Sequence, residues 1–180
     1  MSNLDKSEFQ NLSEEVKKRY INDFFKNYEE NDINFLITIL PDMKGELLIT
    51  TLMRIEENPL KIFTRPLLDI ITKTKSFMEK KFILGALGEI QDPETIDIII
   101  PYIWNENIGK IYRQISWDIF MPKIFFRNEA TLALFKFAFD YKVILLEKLN
   151  LILESLKADQ KDKELLKELI IGIQTYFGEK

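Results

Sequence analysis

Apolar residues recur along most of this chain at the three- and four-residue spacing that places side chains on one face of a helix. The clearest stripes are Val16, Tyr20, Phe24 and Tyr28; Ile96, Ile99, Ile100 and Ile103; Ile108, Ile111, Tyr112 and Ile115; and Leu166, Leu169, Ile170, Ile173 and Phe177. Apolar-polar alternation between hairpin turns, which is typical of a half-buried strand, is not found in the sequence. The pattern therefore predicts helices throughout and no β-sheet.

Turn-forming residues divide the helical stretches at nearly regular intervals. The turn signals begin at Asn31, Asn58, Asp92, Asn128 and Asp159, which are separated by steps of 27, 34, 36 and 31 residues. Such steps suit units of two helices joined by a short loop. The chain is thus predicted to contain about ten helices arranged in five hairpins.

Several turns carry the chemistry that starts a helix. Asn58 and Asp92 are predicted N-caps, and the proline that follows each of them fits the first helical position. Ser7 and Gln10 match a capping box. Ser13 precedes two glutamates, which favour the positive end of a helix dipole.

Two features bear on the continuity of the predicted helices. Pro66 and Pro101 fall inside helical stretches, so we expect a kink or a break at each of them. Residues 129–157 contain neither Gly nor Pro, although the spacing favours a breakpoint near Asp140. The sequence leaves open whether this segment is one helix or two.

The stretch "LGALGEIQDPETIDIII", from Leu84 to Ile100, is the tightest of the joints. Gly85 and Gly88 remove side chains from one helix surface, so another backbone can approach. Gly88 also lies near a helix end, where glycine adopts the left-handed conformation readily. Residues 82–103 resemble the short HEAT-like repeat named after the phycobilin lyases, in which an "ALG" helix end, a "DP" turn and an "E-x-I" helix recur. The matching residues are Ala86, Leu87, Gly88, Asp92, Pro93, Glu94 and Ile96.

The resemblance implies an all-α fold, namely a right-handed α-α superhelix (solenoid) of about five HEAT-like helical hairpins. It also implies that the second helix of each pair lines the concave surface. Those second helices are predicted to begin near Asp32, Pro59, Pro93, Glu129 and Asp162. We expect a single domain over residues 1–180, with an N-terminal capping segment over about 1–12 and a C-terminal capping helix over about 159–180. An irregular helical bundle is the alternative.

Missing residue types restrict the chemistry available to this chain. Its 180 residues include no histidine, which removes the commonest general base and the commonest metal ligand. They also include no cysteine, so a disulfide and a thiolate metal site are excluded. We found no glycine-rich loop of the kind that binds phosphates. We therefore expect no enzyme activity, no catalytic residues, no metal and no cofactor.

One enzyme class remains as an alternative to this expectation. Some HEAT-like proteins are DNA glycosylases that use tryptophans and an aspartate on a basic concave surface, and Trp104, Trp117 and Asp118 supply these residue types. However, Trp117 and Asp118 are adjacent, so their side chains would point about 100° apart on a helix. The net charge of −4 also opposes binding to phosphates. A nucleic-acid-binding protein or a glycosylase relative is therefore the second hypothesis, and nucleic acid is a disfavoured partner.

The sequence also bears on location. The N-terminal stretch "MSNLDKSEF" carries early acids and lacks the apolar core of a secretory signal. No stretch reaches the roughly 18 uninterrupted apolar residues of a membrane span. We expect a cytoplasmic protein, with the earlier removal of a targeting segment left open.

Basic residues concentrate in one part of this acidic chain. Residues 61–81 include six Lys and Arg residues but only two acids. Within this segment Arg65, Asp69 and Lys73 are spaced by four and so share one helix face. This face is either a solvated surface with ion pairs between successive turns or part of a groove that receives an acidic partner segment.

Three further residues are candidate contacts. Ile98 and Tyr102 lie off the main apolar stripe of their helix. Trp117 lies opposite the stripe that ends at Ile115, where it either packs on the next unit or is an exposed anchor of a binding surface.

Together these observations predict a non-catalytic scaffold or adaptor, which binds another protein or a peptide segment, acidic ones included, on its concave helical surface. The predicted contact residues are Arg65, Asp69, Lys73, Ile98, Tyr102 and Trp117. A homo-oligomeric structural protein is the third hypothesis. The sequence does not identify the partner or the oligomeric state.

Overall fold

The computed structural model of the protein describes residues 4–28, 30–104, 113–115, 124–126, 129–155 and 160–178. Its α-helices are α1 Lys6–Asn11, α2 Glu14–Asn27, α3 Glu30–Ile39, α4 Gly45–Glu57, α5 Thr64–Lys73, α6 Phe77–Ile90, α7 Ile96–Ile99, α8 Glu129–Ser155 and α9 Gln160–Phe177. Short 3-10 turns occupy Leu40–Asp42, Lys61–Phe63, Pro93–Thr95 and Ile100–Trp104. The predicted all-α class is thus confirmed, because helices packed against one another make up most of the described chain.

The described part of the chain also contains one small sheet, which the sequence did not predict. Strand β1, Arg113–Ile115, pairs with strand β2, Ile124–Phe126, in an antiparallel ladder. The predictions of no sheet and of a helical stripe that ends at Ile115 were therefore wrong at these residues. In a segment this rich in β-branched and aromatic residues, apolar spacing does not distinguish a short strand from a helix.

The helix starts follow local capping chemistry, with two corrections to the prediction. The Ser13 hydroxyl accepts from the Val16 N–H at the start of α2, as predicted. Asp92 likewise caps the turn that begins at Pro93. At α1, however, the capping box is formed by Asp5 and Glu8 rather than by Ser7 and Gln10. The cause is that Asp5 and Glu8 each accept the other's backbone N–H, at 2.8 and 2.9 Å.

Asn58 was predicted to start a helix and instead ends one. Its backbone N–H donates to the carbonyls of Arg54 and Ile55, and its side-chain amide also donates to the Arg54 carbonyl. The next helix starts later, with the 3-10 turn Lys61–Phe63 followed by α5 at Thr64. Asn58 therefore satisfies carbonyls that the end of α4 leaves without partners.

The two internal prolines behave differently. Pro66 lies in the first turn of α5, where its missing N–H would have no helical partner, and the helix continues through it to Lys73. The kink predicted at Pro66 was therefore wrong. The break predicted at Pro101 is confirmed, because α7 ends at Ile99 and gives way to the 3-10 turn Ile100–Trp104.

Alternate helices contact one another in succession. Helix α2 contacts α4, α4 contacts α6, and α6 contacts the first half of α8. Hydrogen bonds across these contacts join residues 32 apart, from Arg54 to Asn22, and 34 apart, from Gly45 to Glu79. The helices α4 and α6 run parallel, because the start of α4 lies against the start of α6 and Glu56 near the end of α4 lies against Gly85.

The other helices pack on this row. Helix α5 contacts α6 and the 3-10 turn after α3, and α7 contacts α8. The Thr64 hydroxyl of α5 donates to Asp92, 28 residues later, at 3.2 Å. The buried apolar side chains form one cluster that extends from Phe9 to Ile173.

The glycines of α6 permit the close helix packing that the sequence predicts. A Cβ at Gly88 would lie 2.8 Å from the Cα of Ala133 on α8, a distance that real side chains do not allow. A Cβ at Gly85 would meet the carboxylate of Glu56. The expectation that Gly88 takes the left-handed conformation was wrong, because α6 extends to Ile90 and Gln91, at φ +51°, ends it.

Residues 129–155 form one helix with a kink. The backbone of Tyr141 leaves helical geometry, at φ −128° and ψ 30°, so α8 has two arms. Lys136 on the first arm pairs with Glu89 of α6, and Lys148 on the second arm pairs with Asp97 of α7. Glu129 was predicted to begin the second helix of a pair, but the first arm of α8 lies against α6, as a first helix would.

Candidate binding groove

Five of the six predicted contact residues lie in the described part of the chain. Arg65, Asp69 and Lys73 are exposed on α5, as their spacing predicts. Ile98 on α7 and Tyr102 in the following 3-10 turn are half-buried. The sixth residue, Trp117, and the neighbouring Asp118 lie outside the described residues.

The charged side chains of α5 do not pair with one another. Among the described residues, Arg65, Asp69 and Lys73 have no ion pair within 4.0 Å, although their i, i+4 spacing would permit two. The solvated-face alternative assumed such pairs. The three side chains are instead exposed to solvent without an ion pair among the described residues.

A groove of about 460 Å³ lies beside this face of α5. One wall is the turn between α3 and α4, which contributes Pro41, Met43 and Lys44. The other wall is the end of α5 and the turn to α6, which contributes residues 69–70 and 73–75. Asp69 and Lys73 therefore border the groove. Arg65, Ile98 and Tyr102 do not line it.

Glu79 holds the two walls together from the base of the groove. Its side chain is only 8% exposed, and Oε1 accepts the backbone N–H of Gly45 at 2.7 Å. Its Oε2 accepts the Thr74 hydroxyl. The Lys44 side chain at the N-cap of α4 accepts no backbone N–H, so the carboxylate of Glu79 on α6 takes the place of a local cap. Gly45 has φ +57°, which favours glycine at this junction.

Three exposed lysines surround the groove. Lys44, Lys73 and Lys75 are exposed, and among the described residues none has a carboxylate within 4.0 Å. The first helices differ, because Lys6, Lys18 and other cations there are paired with acids, as at Lys6–Asp42 (2.7 Å) and Lys18–Glu46 (2.6 Å). The groove lining therefore carries three Lys against the two acids Asp69 and Glu79, a formal excess of one positive charge on a chain whose net charge is −4.

A second, smaller cavity of about 200 Å³ continues from the first. It shares Met43 and Lys44 with the groove and lies between that turn and helices α1 and α2. Asp42 at its edge accepts a hydrogen bond from Lys6, which holds the pKa of the Asp42 carboxyl below its usual value. Asp42 also accepts from Gln10 at 3.2 Å, so this acid is occupied by its own neighbours.

Tyr102, in the 3-10 turn after α7, lies beside Lys80 of α6 and outside the groove lining. The Lys80 ammonium is 5.9 Å from the centre of the Tyr102 ring, within reach of a cation–π contact. Burial raises the pKa of the Tyr102 hydroxyl, so the phenol is neutral at physiological pH. Tyr102 thus contributes to the surface as a neutral aromatic group.

No three acidic side chains of the described chain converge as a metal site would require. The one buried carboxylate beside the groove, Glu79, accepts hydrogen bonds on both oxygens. The exposed lysines of the groove can attract and hold an anionic group.

Two important groove residues were missed by the sequence analysis. Lys44 and Glu79 are 35 positions apart and carry no shared motif. The Ser76-x-x-Glu79 pattern does resemble a capping box and would place Glu79 in a first helical turn. It does not reveal the contact with Gly45, which depends on how α4 and α6 pack.

Comparisons with protein-family models, with curated proteins and with solved structures found no match to this chain. Among the described helices, none combines the length and the apolarity that a membrane crossing requires. The geometry and the charge of the groove are thus the observations that bear on function.

Proposed function

We propose that the protein is a non-catalytic interaction module, a scaffold or adaptor, which binds a segment of another protein along the surface of α3, α5 and α7. One observation carries this proposal: the exposed charges of α5 lack internal ion pairs and adjoin a groove. Charged groups left without partners on a rigid surface are suited to pair across an interface.

The proposed architecture is a right-handed superhelix of HEAT-like hairpins. Its support is the succession of contacts between alternate helices, with bonded residues 28 to 34 positions apart. These separations match the steps of 27, 34 and 36 residues between turn signals. In such a stack α3, α5 and α7 would form one continuous concave surface, which is the surface that solenoids use for binding.

The test is charge reversal on α5. The double variant Arg65→Glu and Lys73→Glu is expected to weaken partner binding by about tenfold or more, because each reversal replaces an attraction by a repulsion. The melting temperature is expected to move by less than about 2 °C, because exposed substitutions change stability by within about 0.5 kcal/mol. The partner is first identified by affinity capture from the native organism and mass spectrometry, and its affinity is then measured with purified proteins.

A matched control carries the same charge change elsewhere. Lys163 and Lys167 on α9 are also unpaired among the described residues, so Lys163→Glu with Lys167→Glu alters the net charge equally. We expect this control to bind the partner like the unchanged protein. Equal loss in both variants would show a net-charge effect, and unfolding of the α5 variant would show that Arg65 and Lys73 are structural.

A homo-oligomeric protein is the second candidate, and one observation favours it. Large apolar side chains are exposed on the second arm of α8 and on α9, including Val143 (68%), Leu151 (65%) and Ile171 (59%). Apolar side chains exposed in this number mark an interaction surface when they are contiguous. Sedimentation of the purified protein distinguishes a monomer from an assembly of copies.

A further inference from the structure

We infer that the groove between the α3–α4 turn and the α5–α6 turn is a specific seat for the carboxylate side chains of an acidic segment in the partner protein. This inference rests on the proposed function, since it assigns a chemistry to one part of the same surface. It adds Lys44 and Lys75 on opposite walls, and Glu79 beneath them, to the residues that determine binding.

Charge is the first support. The groove walls carry three lysines, and the acids that border it are Asp69 and Glu79. Both oxygens of Glu79 accept hydrogen bonds, from the Gly45 N–H and the Thr74 hydroxyl, and neither Asp69 nor Glu79 forms an ion pair with the groove lysines among the described residues. An anionic occupant would relieve the repulsion between ammonium groups that now lack partners.

Size is the second support. A volume of about 460 Å³ falls within the range of about 300 to 1,000 Å³ that ligand pockets occupy. The groove is therefore larger than a single ion requires and is open along one side. Its charged rim disfavours an apolar anchor, because an apolar group there would desolvate the lysines without pairing them.

The walls are held in place before the ligand arrives. The bond from Gly45 to Glu79 joins the start of α4 to the start of α6, and Thr74 joins the turn after α5 to the same carboxylate. The backbone around the groove thus needs little ordering on binding, so more of the electrostatic attraction contributes to affinity.

A peptide fits this site better than a nucleic acid does. Exposed acids lie near the lysines, since Asp69 borders the groove and Asp42 borders the adjoining cavity. A continuous phosphate backbone would pass both carboxylates, whereas an acidic side chain can enter the groove between them. Lysine also provides a flexible point charge, which suits a carboxylate without demanding two-point geometry.

The experiment measures fluorescence anisotropy of a fluorescein-labelled peptide of alternating Glu and Gly at low salt. A Gln-for-Glu peptide and labelled oligothymidine are the comparison probes. The protein is expected to bind the Glu peptide and not the Gln peptide. The double variant Lys44→Glu and Lys75→Glu is expected to weaken Glu-peptide binding by about tenfold or more.

The matched control is Lys61→Glu with Lys167→Glu, which makes the same change at two exposed lysines away from the groove. It is expected to weaken binding much less than the groove variant does, since it makes the same change in net charge and leaves the groove lysines in place. Lys44→Gln with Lys75→Gln is the milder second pair, in case the reversals disturb folding. It is also expected to weaken binding.

Three results with the unchanged protein would overturn the inference: no Glu-peptide binding at low salt, equal binding of the Glu and Gln peptides, or tighter binding of oligothymidine than of the Glu peptide. An equal loss of Glu-peptide affinity in the groove variant and in its control would also overturn the inference. Because Lys44 and Lys75 are unchanged in the α5 test, these results leave the proposed function standing if Arg65→Glu with Lys73→Glu still releases the partner.

Discussion

At the scale of single residues, Glu79 of α6 caps the start of a different helix, α4. Its carboxylate is buried and accepts the Gly45 N–H of α4 and the Thr74 hydroxyl, while its own helix is capped by the Ser76 hydroxyl. A buried carboxylate that keeps its hydrogen bonds is tolerated, because the donors replace the water it has lost. The start of α4 therefore depends on a residue of α6.

Glu79→Ala is expected to lower the free energy of unfolding by about 2 kcal/mol, because it leaves the Gly45 N–H and the Thr74 hydroxyl without their acceptor. Glu79→Gln is expected to cost less, since the amide oxygen still accepts one bond. Urea denaturation measures both changes. Glu94→Ala, which removes an exposed glutamate in another first turn, is the control and should change stability by within about 0.5 kcal/mol. A Glu79→Ala protein as stable as the control would contradict the role of this carboxylate.

The sequence predicted the α5 face and missed the groove for a physical reason. Arg65, Asp69 and Lys73 share a face by helical spacing alone, so a local pattern places them correctly. Lys44 and Glu79 meet only because α4 and α6 pack side by side. A contact between residues 34 or 35 positions apart leaves no local pattern unless the packing is already known.

At the scale of helices, the packing of α6 against its neighbours α4 and α8 depends on two glycines in different ways. Gly88 faces the backbone of Ala133, which cannot move without shifting α8. Gly85 faces the end of the Glu56 side chain, which can rotate. The two positions are three residues apart on one helix, so they form a natural pair for comparison.

Gly88→Ala is expected to destabilise the protein by about 1 to 3 kcal/mol, because the new methyl group would overlap the Ala133 backbone. Gly85→Ala is expected to cost clearly less, since Glu56 can move and alanine favours the helix by about 1 kcal/mol. Thermal or urea unfolding of the two variants compares them directly. Equal costs, or a larger cost at Gly85, would contradict the close backbone contact.

The sequence predicted helix boundaries correctly where a residue caps the helix that directly follows it. The prediction failed where the end of one helix and the start of the next could both use the same residue. Asp92 and Ser13 each cap the helix that follows them, as expected. Asn58 fits either the end of α4 or the start of the next helix, and its side chain pairs with the Arg54 carbonyl of α4. Strand β1 was missed because the apolar spacing that ends at Ile115 also fits a helix.

At the scale of the whole molecule, α9 covers one end of the row of helices. Its residue Ile173 is fully buried, and the rings of Tyr176 and Phe177 lie 5.2 and 5.4 Å from that of Phe135 on α8. Ile171, two residues earlier, is 59% exposed. Helix α9 thus carries one buried and one exposed isoleucine, and the same substitution can be compared at both.

Ile173→Glu is expected to lower the free energy of unfolding by about 3 kcal/mol or more, because it places an unpaired charge in the apolar contact between α8 and α9. Detachment of α9 would then expose Phe135 and promote association, which sedimentation would detect. Ile171→Glu is expected to change stability by within about 0.5 kcal/mol. If the unchanged protein sediments as an assembly and Ile171→Glu dissociates it, the homo-oligomer hypothesis is supported instead.

The bond between Gly45 and Glu79 also has a consequence for biosynthesis. A ribosome that adds about 5 to 20 residues per second takes roughly 2 to 7 seconds to add the residues from Gly45 to Glu79. Once Glu57 has been added, the nascent chain contains the whole of α4 but lacks the acceptor for its first amide until Glu79 follows. The first amide of α4 therefore gains its hydrogen bond only after Glu79 of α6 has been synthesised. We expect α4 and α6 to complete their folding together rather than one after the other.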